Sequence, residues 1–170
     1  MIYFFIGFFF IFIDWPIAVG AGEIDVFPNL LGYLLLLFGA RAIKGESRRA
    51  TPIAILSGCL LAISVAELVL SLLGVLGDST LAAVLSVLVT LLFLYLAYLL
   101  CAVAKEMEAK RQRPIGAGKL ETAWGFLAVG ALVAYAPLFL PSLTLTAFAL
   151  QILSYVWFER SLYTVYVKTK

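Results

Sequence analysis

The chain has no histidine, two cysteines and two methionines, and charged residues fill only 13% of its 170 positions. Each shortage closes something off. Without histidine there is no imidazole general base, and most zinc and haem ligand sets are out of reach. Cys59 and Cys101 both fall within apolar runs, so they read as small buried packing residues rather than a disulfide framework. So little charge cannot solvate the surface of a soluble domain. The basic residues lie scattered beside apolar runs, which gives nucleic-acid binding no support. Gly116-Ala117-Gly118-Lys119 has the look of a phosphate-loop end. It fails because Arg113 stands at the first glycine and Leu120 at the Ser/Thr position. The chain therefore reads as no enzyme, with no cofactor and no resident metal.

What is present is apolar: 64% of residues are hydrophobic and the mean hydropathy is +1.10. A helix needs roughly 20 residues to cross a ~30 Å hydrocarbon core. The runs place spans at about 2–20, 29–43, 52–77, 81–104, 120–140 and 143–162, which nearly exhausts the chain. Span one has two readings. Either it kinks at Pro16 and continues towards Gly20, or residues 21–28 dip into the membrane. Ala18-Val19-Gly20 resembles a signal-peptide cleavage site, but no basic segment precedes the run, and it reads as a retained helix.

All twelve Lys and Arg residues fall in alternate gaps. Arg41 to Arg49 follow span two, Lys105 to Lys119 follow span four, and Arg160 to Lys170 follow span six. Cytoplasmic loops retain Lys and Arg. The expectation is an all-α bundle of six transmembrane helices forming a single domain, 1–170, with both termini inside.

Within that bundle Glu67 stands out, because an intramembrane carboxylate costs about 2.5–3.5 kcal/mol or more and normally finds protein or water. Ser57, Ser64, Glu67 and Ser71 fall within about 80° of one helical face. Thr144, Gln151 and Tyr155 share a face of span six, with Glu159 at its edge. Asp14, Glu23 and Asp25 form an outer acidic cluster without nearby bases, which would concentrate cations, and oxygen ligands suit hard ions. Glu67, Asp14, Asp25 and Gln151 are the candidate binding residues. For Glu67 and Gln151 a structural role in holding helices together competes with binding. For Asp14 and Asp25 the competing reading is acids that dominate the outer side because bases are excluded there.

The segments Gly7 to Asp14 (GFFFIFID) and Ile24 to Tyr33 (IDVFPNLLGY) resemble a group of small, uncharacterised bacterial membrane proteins with a GFxFIFxD…IDxLPDxxGYxL pattern. The resemblance covers about residues 7–47 and implies Asp14, Asp25, Pro28, Gly32 and Tyr33 as signature positions. The chain departs from it in having Asn29 where the pattern has Asp. In outline, six spans with both ends inside are also similar to the substrate-binding subunits of energy-coupling-factor transporters, although span one lacks their Ala-x-x-x-Ala motif. Independently of either likeness, Pro28 pre-sets the first turn of span two, and Asn29 can satisfy free amides there. Gly32 and Gly39 make a smooth face for close helix approach. The expected role is binding or transport of a small ion or solute in a bacterial inner membrane. The alternative is a non-catalytic accessory protein that docks a membrane partner or a second copy of itself.

Overall fold

The computed structural model describes residues 1–13, 17–19, 22–24, 27–73, 80–138 and 140–170. Six helices carry the fold: α1 (Ile2–Phe12), α2 (Phe27–Ala42), α3 (Ala50–Leu72), α4 (Thr80–Arg111), α5 (Ala117–Val133) and α6 (Thr144–Thr169). The fold class is all-α. Between α1 and α2, the short strands β1 (Ile17–Val19) and β2 (Gly22–Ile24) pair antiparallel, with Ala18 opposite Glu23. Span one therefore does not continue as helix towards Gly20. Ile13 leaves the helix at φ −82° and ψ 95°, three positions before a proline whose ring and missing N–H would break the ladder. Asp14, Asp25 and residues 74–79 lie outside the described residues.

At 1.5 Å per residue, α1, α2 and α5 reach only ~16, ~24 and ~26 Å, short of a ~30 Å core. Three segments, Ala50–Leu70, Val84–Arg111 and Pro141–Thr169, are long and apolar enough to cross a membrane. The expected fifth span, 120–140, divides into α5 and a 3₁₀ turn at Ala136–Leu138.

The chain separates into two compact units, 1–96 and 97–170, with the boundary inside α4. In the first, α1 packs on α2 and α2 on α3. Glycine decides the α1–α2 contact. A methyl on Gly32 would lie 2.7 Å from the Gly7 carbonyl oxygen and run into Ile11, while one on Gly7 would lie 2.9 Å from the Gly32 carbonyl oxygen. Further along, Gly39 meets the Phe4 ring. Phe8 and Phe93 pack ring to ring at 5.2 Å, and Phe12 lies edge-on to Phe93 at 5.8 Å.

In the second unit, α4 turns into α5 through Gln112, at φ 47°, and Gly116, at φ 101°. Only glycine adopts the latter backbone without strain. Three side chains from the last turns of α4 clasp α5 and the end of α6. Lys105 Nζ bonds Glu121 Oε1 at 2.6 Å, Glu108 Oε2 accepts the first α5 amide from Ala117 at 2.9 Å, and Arg111 Nη1 donates to the Thr169 carbonyl at 2.8 Å. Helices α5 and α6 pack against each other, with Gly130 set against Ser154.

Candidate functional site

Helix α6 carries a polar stripe inside an otherwise apolar segment. Gln151, Tyr155 and Glu159 are spaced i, i+4, i+8, within about 80° of one another around the helix. Gln151 Nε2 donates to the Tyr155 hydroxyl oxygen at 2.7 Å. One turn further on, both Glu159 carboxyl oxygens are buried and have no hydrogen-bond partner among the described residues. An isolated ionised carboxylate is not tolerated in such surroundings. The group must hold either a proton or a positively charged or hydrogen-bonding ligand. Arg160, its neighbour in sequence, is exposed and makes no ion pair with it among the described residues.

The α3 stripe is partly inward. Ser57 and Ser64 are buried, and the Ser57 hydroxyl has no partner among the described residues. Glu67 is half-buried, one face-turn beyond Ser64. Glu67 belongs to the first unit and Gln151 to the second. On α4, Thr90 Oγ1 donates to the Ser86 carbonyl at 2.8 Å.

Of the other expected positions, Tyr33 is buried, and Gly32 and Gly39 form the α2 surface that receives α1. Pro28 lies in the first turn of α2, and Asn29 sits inside that turn rather than ahead of it, because the helix begins at Phe27. The two cysteines differ. Cys101 is buried, its Sγ 3.4 Å from the Ala97 carbonyl, whereas Cys59 is exposed on α3, against the expectation that both are buried. No cluster of three or more metal-ligating side chains occurs among the described residues.

Glu159 is the residue that pattern reading placed only at the edge of its stripe. The signal was its spacing from Gln151 through Tyr155.

No protein family, curated protein or solved structure matches this chain.

Proposed function

We propose that this chain is an integral, multi-pass protein of a bacterial cytoplasmic membrane, with both termini inside, that binds a small cation or solute and passes it within the bilayer. The alternating Lys and Arg residues support the topology. Long apolar faces support the membrane setting: Ile55, Leu72, Leu145 and Leu153 are all more than three-fifths exposed, a surface that water would not tolerate over such lengths. One observation carries the binding reading, namely the Glu159 carboxyl with both oxygens buried and unpartnered among the described residues. Glu67, half-buried within the Ala50–Leu70 segment, offers a second carboxyl. Asp14 and Asp25 complete the acidic set on the outer side of that topology. The role is binding rather than catalysis, since the chain has no histidine and no nucleophile–base motif.

Thermal unfolding of the detergent-purified protein, in a panel of Na⁺, K⁺, Mg²⁺, Ca²⁺, organic ammonium ions, small solutes and pH steps, tests this. A ligand at ~100 times its dissociation constant adds about 2.7 kcal/mol, or roughly 5–11 °C for a chain of this size. The shift should vanish in Glu159→Gln. Glu159→Leu should melt at or above the unliganded wild type, because replacing an unsatisfied buried polar group with an apolar one is neutral or stabilising. A flat panel from a cooperatively unfolding protein would overturn the binding reading in favour of an accessory role.

A further inference from the structure

The face of α6 opposite the Gln151–Tyr155–Glu159 stripe borders an open groove against α5, with a volume of about 860 Å³. Its lining changes character along its length. The helices run antiparallel, so Gly130 lies beside Ser154, Phe126 beside Trp157, and Gly116 beside Thr164. Lys119 and Arg160 therefore fall at one end, while Val129, Leu150 and Leu153 fall at the other. Between the two ends the Phe126 and Trp157 rings stack at 4.4 Å and 28°, giving a flat apolar wall.

The polar end is short of anions. Lys119 and Arg160 are both exposed, and neither has an ion-pair partner among the described residues. Both threonine hydroxyls nearby are already committed. Thr122 Oγ1 donates to the Gly118 carbonyl at 3.0 Å and Thr164 Oγ1 to the Arg160 carbonyl at 2.9 Å. The first amide of α5 is taken by Glu108, so the helix start is not the anion site. What remains for a ligand is two cations at one end of a continuous apolar trough.

We propose that this groove binds a single anionic phospholipid, with its phosphate held between Lys119 and Arg160 and an acyl chain lying along Phe126, Trp157 and Leu153. Charge complementarity selects the headgroup, and the apolar length of the groove selects a lipid over a free phosphate. The inference uses the membrane setting proposed above but not the Glu159 carboxyl, which lies on the other face of α6. On that topology the two cations lie at the inner leaflet, where anionic headgroups attract juxtamembrane bases.

Trp157 reports on the groove directly. Replacing Trp15 and Trp124 with Phe leaves it as the sole tryptophan of three. This variant is reconstituted in phosphatidylcholine vesicles, and brominated phosphatidylglycerol or brominated phosphatidylcholine is then introduced as quencher. Phosphatidylglycerol should quench at far lower mole fraction, a preference on the order of 30-fold for two juxtamembrane cations. Lys119→Gln combined with Arg160→Gln should erase the preference, and Lys168→Gln should leave it. Native mass spectrometry of the wild type, with phosphatidylglycerol added after delipidation, gives the same comparison without the tryptophan changes. Equal quenching by the two lipids would overturn the proposal. So would displacement of the phosphatidylglycerol by inorganic phosphate, which would mark a free-anion site. A Trp157 that neither lipid quenches would place a second copy of the chain in the groove and overturn it likewise.

Discussion

A single methyl group at position 32 tests whether α1 and α2 touch backbone to backbone. In Gly32→Ala the new carbon would lie 2.7 Å from the Gly7 carbonyl oxygen and closer still to Ile11 Cγ1. The isoleucine can rotate away, but the carbonyl is fixed in the α1 ladder, so the two helices must separate. Overpacking of this kind costs typically about 1–3 kcal/mol. The gain from removing a helical glycine, about 0.5–1 kcal/mol, offsets part of it. The net loss centres on about 1 kcal/mol, which lowers the midpoint by roughly 2–4 °C. Thermal unfolding in detergent, followed by far-ultraviolet circular dichroism, reads it. Gly58→Ala in α3 is the matched control, since a methyl there has nothing within 4 Å and should leave the midpoint unchanged or slightly raised. Gly32→Ala melting level with Gly58→Ala would refute the close crossing.

Other substitutions probe the second unit. Glu108→Ala removes the acceptor for the Ala117 amide and should cost about 1 kcal/mol in the same melt, as lost helix caps do. Gln112→Gly should raise the midpoint, because a non-glycine residue at φ 47° carries about 1–2 kcal/mol of strain. Tyr155→Phe deletes the Gln151 acceptor and should lose about 0.2–0.5 kcal/mol, the scale of side-chain pairs four apart on a helix. Gly130→Ala should destabilise by collision with Ser154, and Ser154→Gly should restore part of the loss, a rescue measurable as a double-mutant cycle.

Much of the helical organisation was legible because it rests on local physics. Apolar length marked the helices, and Gly32 and Gly39 on one face of α2 marked where another helix could come close. The helical extension of span four past Ala104 was visible in KEMEAKRQR, whose Glu106 and Lys110 are spaced for a helix. What escaped depends on neighbours distant in sequence. Glu159 stood only at the edge of its stripe, and tertiary burial alone sets it apart. Cys59 and Cys101 have equally apolar flanks, yet one faces outward and the other lies in the core. The β1–β2 pairing had a local signal after all: Ile17 and Val19 come after a proline, and Gly20 and Gly22 come next. Helix-length hydropathy masked it.

The clasp at the end of α4 also implies an order of assembly. Its three bonds reach Ala117, Glu121 and Thr169, which leave the ribosome in that sequence, after α4 itself. The α4–α5 turn can thus be locked while α6 is still inside the exit tunnel, and the Arg111 bond is the last to close. A chain stalled before Thr169 would carry a finished α4–α5 corner with its tie to the end of α6 still to form.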